Sequence, residues 1–592
     1  MRRRPQTNLR LRLSLVLFVL GASALILVGR AAELQIRSKE FYQRQGDARF
    51  LREIEIPTSR GQILDRNGEP LAVSTPVESL WVNPPVLMEH ADRIPELAQA
   101  MGIDAAALQA RIAEKAAGKR EFDYLRRHMN PEKADAVMAL DIPGVNKLRE
   151  FRRYYPAGEV VSHVLGYTNI DDRGQEGLEL AFDEWLAGSP GSQRVIRDRR
   201  GRVVENVEMI RAPEPGKDLI LSIDRRLQYL AYRELTATLL EHNASSGSMV
   251  IIDAPTGEIL AMVNQPSYNN NARGTVEPAQ RRNRAVTDLF EPGSVIKAFT
   301  IAAALESGRF KADTMIDTHG GWLRVAGHTV RDIRNFGPVD MTRLLTKSSN
   351  VAAAKIAMEL TNDELWSVFD RIGIGQSTGS GFPGEASGVL PAARTWGTLH
   401  KVTMSYGYAI STTALQMAQA YAAIANHGRL VPPTFVKGVR KPAREIFDPA
   451  MSAQIISMLE TVTGPGGSGT RAAVPNYSTA GKTGTTRKAT AGGYESRYVS
   501  VFAGMVPADH PRLVGVVVVH DPVGKGYYGG LVSAPVFGKV MEGATRLMDI
   551  PPDRVMTALN VDPPAIPVDA DADALGTDVP PDLLQFAEGV EQ

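Results

Sequence analysis

The pattern of apolar and polar positions divides the chain into stretches of different character. An apolar run without charge covers 13–29. As a helix it is about 26 Å long, slightly short of a ~30 Å hydrocarbon core. Ala31 and Ala32 extend it if Arg30 snorkels to the interface. From 51 to 56 apolar and charged residues alternate, the period of a half-exposed strand. Asn67-Gly68 follows as a hairpin-turn signal. The pattern is helical from 85 to 140, with Ala-rich, charge-studded segments such as 103–117, and returns to strands and loops between 152 and 191. Pro213-Glu214-Pro215-Gly216 is a natural boundary. Beyond it 219–223 reads as a strand, 226–240 as an amphipathic helix, and 247–253 with 258–263 as a strand pair across Pro255-Thr256-Gly257. A helical segment follows at 298–305, another at 351–360, and the Thr- and Tyr-containing stretch 477–485 suits a strand. After a Gly-rich loop, 498–506 and 513–520 form an antiparallel pair. The stretch 513–519 is so apolar that both of its faces must be covered.

Charge refines this picture at the two ends. Arg2, Arg3, Arg4, Arg10 and Arg12 precede the apolar run, which predicts a cytoplasmic tail at 1–12, a transmembrane anchor at 13–32 and the remainder outside. Ala22-Ser23-Ala24 offers a signal-peptide cleavage site, but Leu25-Ile26-Leu27-Val28 carries the run past it and favours an uncleaved anchor. The stretch 561–592 holds Asp562, Asp569, Asp571, Asp573, Asp578, Asp582, Glu588 and Glu591, five prolines and no Lys or Arg. The tail 555–592 is therefore expected to be disordered and acidic. Between the ends, the boundary at 213 separates an N-terminal domain at 33–213 from a second at 214–554. Length alone suggests roughly 3 to 5 domains. A composition of 43% hydrophobic and 22% charged residues with net charge +1 has no basic excess to attract nucleic acid. The absence of cysteine excludes disulfides, thiolate catalysis and cysteine-ligated metals.

Candidate chemistry centres on Ser294. Pro292-Gly293 delivers it to the first turn of the helical segment, and Lys297, three residues on, shares its helix face. A serine hydroxyl needs a neighbouring base, and a lysine serves only when neutral. Acting near neutrality requires a depression of roughly 3 units, or about 4 kcal/mol, which burial and a second cation could supply. Alone, Ser294-x-x-Lys297 favours a capping serine and a solvated lysine, because the pattern arises by chance in a chain this long. Two further motifs follow in order: Ser348-Ser349-Asn350 before a helical run, and Lys482-Thr483-Gly484-Thr485 in the predicted strand. Each has its own bland reading, a cap for Ser348 and an exposed strand end for Lys482. Gly484 would let a substrate backbone lie close to that strand. Gly375-Gln376-Ser377-Thr378-Gly379 matches a hydrolase elbow, but a loop follows the serine where a helix is required. His520-Asp521 points to opposite faces of a strand, and His163 has no metal-ligand spacing around it.

Ser-x-x-Lys, Ser-x-Asn and Lys-Thr-Gly in this order resemble the signature of penicillin-binding proteins and serine β-lactamases. The chain resembles a class B penicillin-binding protein in particular, from the anchor to about Arg554. Residues 60–72 resemble the family's Arg-Gly-x-Ile-x-Asp-Arg-x-Gly segment, 153–158 its Arg-x-Tyr-Pro-x-Gly element and 174–179 its Gly-x-x-Gly-x-Glu element. No Glu-Asp-x-x-Phe motif in the N-terminal half supports a class A glycosyltransferase domain. Residues 282–294, Asp521-Pro522, 527–530 and 533–537 resemble the cell-division (septal) branch, with the elongation branch as the alternative. Val295-Ile296 stands for the commoner Thr-Val, and 413–416 lacks the usual proline.

The resemblance implies an α/β transpeptidase fold, an antiparallel sheet flanked by helices, on an elongated α+β N-terminal pedestal with one transmembrane helix. It implies a D,D-transpeptidase in which Ser294 attacks the penultimate D-Ala carbonyl of a stem peptide and expels the last D-Ala. An amine of a neighbouring stem then takes the acyl group. Lys297 is the implied base, Ser348 the proton relay to the leaving amine and Asn350 the holder of the acylated peptide. Lys482, Thr483 and Thr485 bind the terminal carboxylate, and the N–H groups of Ser294 and Thr485 form the oxyanion hole. No metal or organic cofactor is implied. The implied partners are stem peptides, β-lactams, the inner membrane and division-machinery membrane proteins including a glycan polymerase; nucleic acid is not among them. A class A β-lactamase would need a Glu followed four residues later by Asn; Glu385 lies in about the right interval, but Val389 takes the second place. The other rival is a non-catalytic, β-lactam-binding scaffold.

Overall fold

The computed structural model describes residues 9–33, 35, 51–197, 203–272, 274, 276–490 and 493–554. The arginines at 2, 3 and 4 and the tail from 555 lie outside them. The apolar run is part of a helix, Leu9–Ala32, long and apolar enough to cross a membrane, whose apolar side chains are exposed.

The rest of the chain forms two compact units. The first holds the described residues of 51–60, 75–152 and 188–216. Its alternating stretch is the strand Leu51–Ile56, antiparallel to Gly191–Arg197, which pairs in turn with Val203–Arg211. The helical pattern becomes Ile94–Met101, Ala105–Ala117 and Pro131–Met138, whose apolar stripes bury Leu97, Met101, Leu108, Ile112 and Val137 together. Asp104 caps the second helix by accepting the Ala107 N–H at 2.7 Å, and Pro131 opens the third where no amide donor is needed.

The second unit holds Gly61–Ser74, Arg153–Ala187 and the described residues from Lys217 to Arg554. The two early segments belong to the stretch 33–213, so the compact units interleave instead of meeting once at 213/214. A buried ion pair ties these segments together. Arg153 Nε donates to Glu179 Oε1 at 2.6 Å and Nη1 to the Gly61 carbonyl at 2.8 Å, with both side chains almost wholly out of solvent. The three motifs at 60–72, 153–158 and 174–179 therefore serve one structural junction. Removing one partner leaves an uncompensated buried charge, so Arg153→Ala should cost roughly 3–5 kcal/mol. A thermal melt of the purified variant reads this directly; a midpoint unchanged from the parent would mean the pair carries no stability.

A five-stranded antiparallel sheet forms the centre of this unit. Its strands are β1 (Ser246–Asp253), β2 (Glu258–Gln265), β3 (Ala480–Thr490), β4 (Gly493–Val506) and β5 (Leu513–His520), in the order β2-β1-β5-β4-β3. β5 is central and buried along its whole length, as its apolar run requires. Alternate residues feed two cores. Val250, Ile252, Val514, Val516 and Val518 face one, together with helix α1 (Lys297–Glu306) and α2 (Ala414–Ala425). Met249, Ile251, Phe502, Val517 and Val519 face the other, under Arg225–Glu241 and Gly529–Leu547. Thr413 and Gln416 form a reciprocal capping box at the start of α2 where the usual proline is missing, so the departure leaves the helix start satisfied. β3 starts at Ala480 and runs to Thr490, because Thr490 pairs with Gly493 and extends the hairpin beyond its apolar part. An exposed ladder of that kind has no apolar period to announce it.

Candidate active site

The nucleophile turn is built by close backbone approach. Gly293 has φ +56°, and a Cβ on Gly407 would lie 2.2 Å from the Gly293 carbonyl, so neither position accepts a side chain. Ser294 sits in the 3-10 turn Gly293–Ile296, which leads directly into α1 with Lys297 as its first residue. Tyr421 from α2 donates its hydroxyl to the Val295 carbonyl at 2.8 Å and holds the turn from below.

β3 is the edge strand beside this turn, and its alternation sorts the third motif. Lys482 and Gly484 face the nucleophile side. A Cβ on Gly484 would meet the Pro292 carbonyl at 2.9 Å and Val295 at 3.2 Å. The glycine therefore admits the protein's own turn at Ser294. Thr483 and Thr485 alternate with them along the strand. Thr483 Oγ1 lies 2.9 Å from Ser468 Oγ, and Thr485 Oγ1 accepts the Gly529 N–H at 3.0 Å, which leaves its own proton to donate.

Ser348 and Ser349 divide the labour at the second motif. Ser348 has φ +60°, a left-handed conformation uncommon outside glycine, and closes the helix Met341–Lys347. Ser349 is the cap of Asn350–Glu359, accepting the Ala352 N–H at 3.0 Å. The capping role open for Ser348 thus belongs to its neighbour, and the strained backbone of Ser348 turns its hydroxyl toward the lysines. Asp332, which belongs to no sequence motif, fixes this junction. Its carboxylate accepts Ser349 Oγ at 2.6 Å, the Asn350 N–H at 2.5 Å and the Val351 N–H at 3.0 Å.

The two buried lysines converge on Ser348. Lys297 Nζ donates to the Ser348 carbonyl and to Asn350 Oδ1, each at 2.7 Å, and lies 3.3 Å from Ser348 Oγ. Lys482 Nζ lies 2.9 Å from the same hydroxyl. Burial lowers Lys297 to about 7, against an opposing pull from the Asp332 carboxylate. Burial, and then the charge on Lys297, lowers Lys482 well below its ordinary value. The depression that a lysine base needs is present, and burial is its main cause. In the neutral amine, the carbonyl and amide acceptors at 2.7 Å use both N–H groups and leave the lone pair free.

The other candidates lie elsewhere. Ser377 is exposed in a loop, as expected from the residues after it. Glu385 accepts the Thr378 N–H at 2.6 Å and Ser380 Oγ at 2.7 Å, so its carboxylate closes its own loop. His163 is buried, bonded to the Gln280 carbonyl and lowered by burial to about 4. Among the described residues no group of His, Asp and Glu is placed to hold a metal ion.

Residues 247–542 match the penicillin binding protein transpeptidase domain, and 55–221 the penicillin-binding protein dimerisation domain. The probable peptidoglycan D,D-transpeptidase PbpC of Pseudomonas aeruginosa is 42% identical over 93% of this chain and 97% of its own. The chain belongs to the class B penicillin-binding proteins. It is a serine-type peptidoglycan D,D-transpeptidase. Peptidoglycan D,D-transpeptidase FtsI of Escherichia coli is 41% identical over 90% of this chain and 91% of its own. A penicillin-binding protein 3 transpeptidase domain from Burkholderia pseudomallei, solved without ligand, superposes with a TM-score of 0.53 at 38% identity, covering 57% of this chain and 98% of that one. A peptidoglycan synthetase from Bifidobacterium adolescentis shares the fold over 86% of this class B protein and 98% of its own chain, with a TM-score of 0.68.

Proposed function

We propose that this transpeptidase cross-links septal peptidoglycan through an acyl-enzyme on Ser294. The observation that carries the assignment of roles is the convergence of Lys297 and Lys482 on Ser348 Oγ, with Ser294 one turn before Lys297. Neutral Lys297 takes the Ser294 proton as the hydroxyl attacks the penultimate D-Ala carbonyl of the stem peptide. The oxyanion is held by the N–H groups of Ser294 and Thr485. One such donor is worth ~3–4 kcal/mol. The proton passes through Ser348 to the departing D-Ala amine. Asn350 orients the acylated peptide, and Lys482 with the hydroxyls of Thr483 and Thr485 receives the terminal carboxylate. The incoming amine of a second stem then reverses the sequence and restores the Ser294 hydroxyl.

The septal role rests on the likeness of 282–294 and 521–537 to the division branch. The helix Leu9–Ala32 anchors the chain in the inner membrane, with the N-terminus cytoplasmic and the catalytic unit periplasmic. Its partners are division-complex membrane proteins, including a glycan polymerase, and β-lactams compete with the stem peptide.

The fate of the ester separates a transpeptidase from a hydrolase. A lactamase directs water onto it, whereas Glu385 here is engaged within its own loop and Lys297 is held by Ser348 and Asn350. A β-lactam mixed with stoichiometric protein should show an absorbance burst of one equivalent and then a plateau, with turnover many orders below the ~10 s⁻¹ median of enzymes. Continuous hydrolysis at seconds per turnover would support the lactamase instead.

A further inference from the structure

A cavity of about 550 Å³ opens in the transpeptidase unit on a set of elements that the acyl-transfer roles do not use. It is bounded by the end of Arg225–Glu241, the start of Gly529–Leu547, the turn Thr470–Ala472 and the loop after β5. Its lining brings Arg471, Lys525, Lys539 and His242 together with one carboxylate, Glu241, while Glu234, outside the lining, lies 3.7 Å from the exposed Lys539. His242 is 6% exposed, and its Nδ1 is buried with no hydrogen-bond partner among the described residues. A buried imidazole nitrogen without a partner costs free energy unless something in the cavity satisfies it. Burial lowers the His242 pKa, Glu241 and the Gly526 carbonyl oppose that, and Lys525 and Arg471 push it further down. An anion beside the imidazole would offset those two cations and accept from the protonated ring.

Lys525 already bonds Glu241 at 3.0 Å, but both side chains are more than half exposed, and such pairs are worth ~1 kcal/mol or less. Lys525 is therefore available to a stronger acceptor. Arg471 has no acceptor among the described residues, and its planar fork suits a tetrahedral oxyanion bound through two oxygens. We infer that this cavity is a binding site for a phosphoryl group, held by Arg471, Lys525, Lys539 and His242. Several donors arriving from separate elements favour a multiply charged, many-oxygen acceptor over a single carboxylate. The volume exceeds that of a phosphate ion, so the group is carried on a larger molecule.

The occupant would also order the loop that borders the acyl-transfer site. The Val523 N–H donates to the His242 carbonyl at 2.7 Å, and the same loop leads through Tyr527 and Tyr528 to Gly529, whose N–H meets Thr485.

Titration calorimetry of full-length protein in detergent tests this, using inorganic phosphate and pyrophosphate at constant ionic strength against chloride. Saturable pyrophosphate binding is expected, weakened at least tenfold in both Arg471→Ser and His242→Ala and unchanged in Arg324→Ser, an exposed arginine elsewhere in the unit. Fluorescent penicillin labelling of each variant reports that its fold is intact, so Arg471→Ser, which removes only an exposed side chain, decides the matter if His242→Ala fails to fold. A short-chain phosphatidylglycerol below its micelle concentration identifies the carrier: binding tighter than phosphate supports a lipid headgroup, and equal binding supports a soluble one. Absence of saturable binding, or equal weakening by Arg471→Ser and Arg324→Ser, would overturn the inference.

Discussion

Ser294→Ala should abolish covalent labelling by a fluorescent penicillin while leaving the thermal midpoint within a few degrees of the parent. The hydroxyl is the sole acyl acceptor in the proposed reaction, so the loss is complete, not graded. The fold should survive because the turn is fixed by other contacts: the backbone of Gly293 against Gly407, and the Tyr421 hydroxyl on Val295. Ser294 Oγ itself makes no hydrogen bond among the described residues, so its removal leaves no partner unsatisfied. Labelling that persisted in this variant would place the acyl group elsewhere.

Lys297→Ala should lower the acylation rate by about 10²–10⁴-fold, the usual worth of a positioned general base. The nucleophile remains but its proton has no acceptor. The parent protein should show a matching pH profile. The amine must be neutral to act, and burial brings it to about 7. The second-order acylation rate should therefore rise about tenfold per pH unit below that value and flatten above it. Burial also lifts the Glu291 carboxyl to about 7, close to the same turn. Glu291→Gln separates the two, since the rise should persist in it. A rise centred near the ordinary ~10.4 of lysine would show that Lys297 is not the base.

The residues proposed to carry the chemistry stand out in the sequence because catalysis demands particular groups in fixed local spacings. Ser294 and Lys297 share one turn, and Ser348 and Asn350 flank a helix start. Their supports were invisible for the opposite reason. Asp332 acts on residues some 17 to 19 positions away, and Gly484 opposes Pro292 from a distant part of the chain. Neither contact leaves a periodic or compositional trace. Ser348 and Ser349 are chemically alike in sequence, and only the left-handed backbone at Ser348 separates the hydroxyl facing the lysines from the cap. The sheet strands were legible from their apolar runs, whereas the interleaving of the two units was not. The segments 61–74 and 153–187 change unit at 74/75 and at 152/153 without a proline- or glycine-rich linker, and their tie runs through the buried Arg153, which bonds both the Gly61 carbonyl and Glu179.

Peptide mapping of the penicillin adduct tests the central assignment most directly. Cleavage after Arg284 and Lys297 yields a peptide in which Ser294 is the only serine. Protein treated with one equivalent of benzylpenicillin and digested with trypsin should carry the intact penicilloyl mass on that peptide alone, with fragmentation locating it at Ser294. An adduct on any other serine, or a protein that returns to its unmodified mass within seconds, would contradict the assignment of Ser294 as the acyl carrier of a transpeptidase.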